Sequence, residues 1–241
     1  MFGDLLAPRY LHWLLDGFLL TLGTSLLVCV IGTLLGALVA VGRQLPGRLS
    51  WLARGYLSVL RNTPLLVQLF FWYFGVPALM PEDLVFWLNL PHELALGSVT
   101  LAWPSFEFLA AALGLSLYTS AFIAEELRAG IASVRPQQRE AGMALGLRPG
   151  QVWRYIVLPQ ALHTALPPLF GQYMNALKNS SLAMAIGLAE LSYASRQVET
   201  ETFKTFQAFG IATLLYLGAA IAIEVAGTLI HQHRRHVRGE A

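Results

Sequence analysis

Charge is what this sequence has least of. Asp, Glu, Lys and Arg make up 12% of its 241 residues and hydrophobic residues 56%, against roughly 25% charged and 45–50% apolar in a soluble domain. That shortage excludes an ordinary soluble domain and indicates an integral membrane protein. Cysteine is scarcer still: Cys29 stands alone inside an apolar run, which excludes an intrachain disulfide and leaves packing as its role. No G-x-x-x-x-G-K-[ST] phosphate loop is present, so the chain is not expected to hydrolyse ATP by that route, and no catalytic residue is assigned. His231, His233 and His236 lie among arginines after the last apolar run. They are taken as part of a charged tail, with no metal site and no cofactor expected in this chain. Neither a low-complexity linker nor a soluble stretch divides the sequence, so residues 1–241 are expected to form one membrane domain.

What is present is a series of long apolar runs. Gly17 to Gly42 carries no charge, and the run exceeds the ~20 residues a helix needs to cross the hydrocarbon core. A cleaved signal peptide is the competing reading, but its apolar region is about 7–15 residues long, so the run is expected to stay as a span. Further spans are expected over Trp51–Val76, Phe106–Arg128, Gln160–Lys178 and Thr205–Ile230. Pro159, Pro167 and Pro168 predict a bend in the fourth. The fold class is thus all-α, a polytopic membrane protein of about five transmembrane helices, too few to make a good pore without a copy or a close relative of this chain.

Basic residues set the orientation, because Lys and Arg accumulate in cytoplasmic loops. Arg43, Arg48, Arg54, Arg128, Arg135, Arg139, Arg148, Arg154, Arg234, Arg235 and Arg238 fall on one side, and Arg9, Arg196 and Lys204 on the other. The first side is expected to be cytoplasmic and to hold the C-terminus, with the N-terminus outside. The loop from Pro77 to Trp103 has Glu82, Asp83 and Glu93 but no Lys or Arg, as an outer loop should.

Between the third and fourth spans lies a polar elbow of about residues 136–159. Pro136 can open a helix at its first turn and Gly146 can close it in a left-handed cap. Arg148, Pro149 and Gly150 predict a turn before a second short segment, Gln151–Val157, with Trp153, Ile156 and Leu158 as anchors at the membrane surface. Ala141, Gly142 and Ala144 keep the surface of this knob small enough for close approach to another body. The plainer reading is a solvated loop.

Polar residues within spans are costly and usually face a pathway or a partner. Arg61, Asn62, Thr63 and Pro64 interrupt the second span, with Gln68 one turn on. Glu125 and Arg128 are three apart on one helical face, where an ion pair and a substrate contact are both open. Pro168, Gln172, Asn175 and Asn179 form a stripe that either joins helices or lines a cavity. After Lys178 and Asn179, Ser180 and Ser181 precede a short apolar run. A re-entrant half-helix capped there would offer its positive end to a carboxylate, with Lys178 adding a charge or snorkelling to the interface.

The elbow reads EAGMALGLRPGQVWRYIVLP from Glu140 to Pro159. The spacing of Glu140, Ala141, Gly142, Gly146, Ile156, Leu158 and Pro159 resembles the EAA loop of bacterial ABC importer permeases, with Gly142 standing where that pattern has a second Ala. Beyond it, RNTPLLVQLFFWYFGVP from Arg61 and LKNSSLAMAIGLAEL from Leu177 resemble the polar amino acid uptake permeases, most closely the glutamate/aspartate branch. The resemblance implies a type I ABC importer permease fold in the bacterial inner membrane, alternating access, a paired permease (a sister chain by preference, a second copy otherwise) and a periplasmic amino-acid-binding protein. It also implies ABC ATPase subunits that use ATP and Mg and receive the elbow through Glu140. A substrate pathway is expected at Arg61, Asn62, Thr63, Gln68, Gln172, Asn175, Lys178, Asn179 and Ser180. Histidine, arginine or glutamine are the alternative substrates. The rival classes are an ion-driven secondary carrier, for which the inverted repeats are missing, and a membrane anchor, which has no use for the elbow.

Overall fold

The structure, a computed structural model, describes residues 6–90, 93–96 and 99–237; Arg238, counted above among the cytoplasmic arginines, lies outside the described residues. Its elements in chain order are α1 (Pro8–Gly42), α2 (Arg48–Asn62), α3 (Leu65–Phe70), α4 (Glu82–Asn89), β1 (Glu93–Leu96), β2 (Val99–Ala102), α5 (Phe106–Ala132), α6 (Pro136–Ala144), α7 (Pro149–Val152), α8 (Leu158–Asn179), α9 (Leu191–Thr202) and α10 (Thr205–Val237). Apart from the two-stranded antiparallel ladder of β1 and β2, which pairs Leu96 with Val99 inside the expected outer loop, the regular elements are helical. The all-α expectation holds but for that ladder.

Among the described residues, Pro8–Gly42, Phe106–Ala132 and Thr205–Gln232 are long and apolar enough to cross a bilayer. They contain the first, third and fifth expected spans. The 35 residues of α1 rise about 52 Å at 1.5 Å each, well beyond a ~30 Å hydrocarbon core. Leu26 and Leu38 on α1 and Leu214 on α10 are 68%, 69% and 68% exposed, as side chains that face lipid should be.

The second expected span is divided. The residue before a proline is pushed out of the helical region, so α2 ends at Asn62 and Pro64, at φ −57° and ψ 134°, opens α3. The Gln68 side chain bridges the break by donating from Nε2 to the Thr63 carbonyl at 3.0 Å. Beyond α3 the chain continues as a π turn over Phe71–Gly75 and a 3-10 turn over Pro77–Leu79. The fourth expected span begins earlier than Gln160: α7 runs through a π turn at Trp153–Val157 directly into α8, which continues through both Pro167 and Pro168. The 22 residues of α8 are long enough to span, but Gln160, His163, Gln172, Asn175 and Lys178 dilute its apolarity.

The chain divides into two compact units, each drawn from three stretches: Met1–Val28, Asn62–Tyr118 and Ala176–Leu217 in the first, Cys29–Arg61, Thr119–Asn175 and Gly218–Ala241 in the second. Helices α1, α5, α8 and α10 contribute to both, and α2 does so by its last residue, Asn62. In the first unit Tyr10 and Leu14 of α1 are buried with Leu191, Ala194 and Val198 of α9 and Ala208 and Ala212 of α10. Gly17 makes this packing possible, because a Cβ there would lie 2.9 Å from that of Ala194. In the second unit Ile123 of α5 is buried with Ala165 and Leu169 of α8, while Val134, Val152, Val157 and Ala161 form a separate core beneath the elbow.

Candidate functional site

The elbow folds as its punctuation predicts at one end and differently at the other. Pro136 occupies the first turn of α6, where its missing N–H costs nothing. At the far end Gly146 takes φ +85°. Its N–H donates to the Met143 carbonyl at 2.9 Å and that of Leu147 to the Gly142 carbonyl at 3.1 Å, so the last carbonyls of α6 are satisfied by a left-handed cap. Pro149 then opens α7 rather than forcing only a turn, and the Arg148 N–H is held by Gln151 Oε1 at 2.8 Å. The second segment does not stop at Val157, and Leu158 and Pro159 lie within the first turn of α8.

Trp153 and Ile156 are half-buried. Both pack onto the core of Val134, Val152, Val157 and Ala161, while Tyr155 and Leu158 stay exposed at 62% and 44%. Gly142 is buried, and a Cβ on it would lie 2.5 Å from Ile156 Cδ1 and 3.3 Å from Val152 Cγ2. An alanine at this position would require the Ile156 side chain to turn aside. Glu140 and Ala141 remain exposed, as do Met143 and Leu145 at 49% and 85%. Arg139 Nη2 donates to the Ile131 carbonyl at 3.0 Å, joining α6 to the end of α5. The outcome is a braced knob that presents a carboxylate beside small and apolar side chains.

Of the expected pathway residues, Arg61, Gln172 and Asn175 lie in the second unit. Arg61 is exposed and sits 3.9 Å from Glu125 Oε2, with its guanidinium 5.4 Å from the centre of the Phe122 ring. Glu125 is the hub: Arg43 Nη1 is 2.6 Å from its Oε2, and Arg128 Nε donates to its Oε1 at 2.7 Å. The expected Glu125–Arg128 pair is therefore part of a cluster in which three cations share one carboxylate. Arg43 stands one residue past the uncharged run of α1, the one sequence signal that marks it as a candidate partner. Gln172 Nε2 donates to Glu126 Oε1 at 3.0 Å, which joins α8 to α5, whereas Asn175 is exposed.

The remaining pathway residues lie in the first unit. Asn62 and Lys178 are exposed and Thr63 and Asn179 half-buried, but Gln68 is buried across the α2–α3 break. Ser180 is fully buried and spends its hydroxyl on the Leu177 carbonyl at 2.7 Å. Ser181 does the same with the Lys178 carbonyl at 2.7 Å. The expected half-helix with a free positive end is absent, because the 3-10 turn Ser180–Ile186 continues directly from α8 through a helical Asn179 with no side-chain cap.

A buried polar centre escaped the sequence reading. Glu190, 0% exposed, heads α9 and accepts the N–H groups of Ser192 and Tyr193, each at 3.0 Å. Its Oε2 also accepts from the Tyr216 hydroxyl of α10 at 2.6 Å and, at 3.4 Å, from Thr21 of α1. The Leu191 N–H completes the network by donating to Thr21 Oγ1 at 3.1 Å. An acidic residue preceding a helix is a capping signal, but nothing in its neighbours points to Thr21. On α10, His231 stacks on His163 of α8 with ring centres 4.9 Å apart, so that histidine belongs to a packed helix rather than to a tail.

The family described as "Binding-protein-dependent transport system inner membrane component" matches residues 32–236. The chain belongs to that family. This permease is 32% identical over 228 residues to the glutamate/aspartate import permease protein GltJ of Escherichia coli strain K12, covering 94% of this chain and 89% of that one. It is 34% identical over 212 residues to the probable glutamine ABC transporter permease protein GlnM of Bacillus subtilis strain 168, covering 88% of each. A crystal structure of an amino acid ABC transporter with histidines superposes with a TM-score of 0.80 at 28% identity, over 97% of this chain and 100% of that one. The chain is thus a multi-pass inner-membrane permease of an amino acid ABC importer.

Proposed function

We propose that this permease carries glutamate and aspartate inward, driven by ABC ATPase subunits that bind the elbow and consume ATP with Mg. The observation that carries the coupling role is the elbow itself: a knob braced from below by Val152, Val157 and Ile156, with Glu140, Met143 and Leu145 left facing outward. Exposed apolar groups beside a carboxylate on a basic cytoplasmic loop are what a protein partner requires and water does not. Substrate would be delivered outside by an amino-acid-binding protein and pass between this chain and a second permease, a sister chain by preference. The excess of basic residues on one side supports an N-terminus outside and a C-terminus in the cytoplasm. Closure of the ATPases on ATP moves the elbows, the helices rock to face outward, and hydrolysis reverses the motion.

Support for an acidic substrate is the likeness to GltJ together with cationic residues on the expected pathway, Arg61 and Lys178. Arg61 belongs to a cluster of three arginines on one carboxylate, which keeps a net positive charge. The likeness to GlnM favours an amide amino acid as the second reading. Deleting this chain from its host and measuring uptake of labelled glutamate against unlabelled aspartate, glutamine, arginine and histidine separates them. Loss of an aspartate-inhibited, ATP-dependent component is expected. Intact glutamate uptake with loss of glutamine uptake would refute the acidic assignment and keep the importer.

A further inference from the structure

Among the described residues, helix α4 (Glu82–Asn89) is the one α-helix of the first unit that buries none of its residues. Leu84, Phe86 and Trp87 are exposed at 42%, 66% and 46%, and Leu79, in the 3-10 turn before it, at 81%. At eight residues, or about 12 Å, α4 is too short to be a span whose apolar groups simply face lipid. Its charged residues are both acidic: Glu82 and Asp83 occupy its first turn. Glu82, Phe86 and Asn89 recur at helical spacing on one face. With Pro77 and Met80 they line a recess of about 770 Å³.

Two surfaces can cover such a face, and charge separates them. Helices that lie on a membrane surface are rich in Lys and Arg on the polar side, which attract anionic headgroups. No Lys or Arg occurs anywhere between Arg61 and Arg128, whereas Glu82, Asp83, Glu93 and Glu107 do. An acidic, aromatic face suits a basic protein patch, where charge sets the encounter rate and the aromatic side chain supplies buried contact. We propose that α4 and the turn before it form a docking surface for the soluble amino-acid-binding protein, and that the recess receives a Lys or Arg side chain of that protein, its stem on Phe86 and its head between Glu82 and Asp83. This rests on the importer reading and on the outer placement of the Pro77–Trp103 loop.

The test uses the complete complex of permease and ATPase subunits in nanodiscs, with the amino-acid-binding protein whose deletion from the host abolishes the same uptake. ATP hydrolysis is measured against binding-protein concentration. Glu82→Lys with Asp83→Lys is expected to raise the half-saturating concentration at least tenfold and to weaken its dependence on salt, while Phe86→Ala raises it severalfold. Half-saturation within twofold of the unaltered complex for both variants would overturn the proposal and leave the importer reading standing. A complex that no binding protein stimulates would overturn both. As a second measurement, a bimane label on Phe86→Cys in a Cys29→Ser background is expected to shift its emission when binding protein is added and to resist quenching by spin-labelled lipids. Strong lipid quenching without a response to binding protein would assign α4 to the bilayer instead.

Discussion

Replacing Gly130 by alanine tests how tightly the third and fourth expected spans are joined next to the elbow. An added Cβ would fall against the Ala161 carbonyl oxygen and 3.0 Å from Ala165 Cβ, where carbon atoms prefer about 3.5–4.0 Å. The obstacle is helix backbone, so no rotamer change relieves it, and α5 and α8 must part by roughly half an ångström or more. Overpacking of this kind costs about 1–3 kcal/mol, and contact with backbone places Gly130→Ala near the upper end. The helix propensity of alanine returns about 1 kcal/mol, leaving a net loss of about 2 kcal/mol. Gly171→Ala on α8 meets nothing within 4 Å and keeps the propensity gain of about 1 kcal/mol. The two variants should therefore differ by about 3 kcal/mol in SDS titrations of the purified protein in mixed micelles. Ala161 also belongs to the core under the elbow, so Gly130→Ala should lower ATP-coupled uptake more than it lowers the amount of inserted protein. Equal stability of Gly130→Ala and Gly171→Ala would refute the close approach of these helices.

Glu140→Arg should abolish ATP-coupled uptake while the chain still inserts; ATPase co-purification is the check, and normal uptake would defeat the coupling role. Glu125→Gln leaves Arg43, Arg61 and Arg128 without their shared carboxylate. Because these side chains are 22–40% exposed, the loss should be about 1–2 kcal/mol, between surface and buried pairs, and smaller for Arg43→Gln, which leaves the Arg128 pair intact. SDS unfolding of both variants gives that order. Glu190→Ala strands two backbone N–H groups and the Tyr216 hydroxyl, at about 1–3 kcal/mol for each buried group left unsatisfied. Glu190→Gln, which presents a donor to at least one of them, should fall between Glu190→Ala and the unaltered chain in thermal melts, and a Glu190→Ala protein as stable as the unaltered one would contradict the network.

The sequence by itself determined what is local. The uncharged run from Gly17 to Gly42 has to be a span, because no partner across the chain is needed to make water a poor solvent for it. Pro136 and Gly146 mark the ends of α6 through their own backbone limits, and the break at Thr63–Pro64 follows from the residue before a proline, although the interruption looked from sequence like a disturbance inside one span. Tertiary structure alone decided which polar groups spend their hydrogen bonds on structure. Gln68 and Ser180 have the residue types of a pathway, yet both are buried with their side chains turned to nearby backbone carbonyls. Glu125 meets Arg43 across 82 residues and Glu190 meets Thr21 across 169. No pattern of spacing encodes such pairs, because an ionisable or polar group removed from water accepts whichever partner the packing of distant helices brings within about 3 Å. Close packing likewise gives Gly142 its neighbours: its place in the motif is visible in the sequence, but only the fold sets it against Ile156 and Val152.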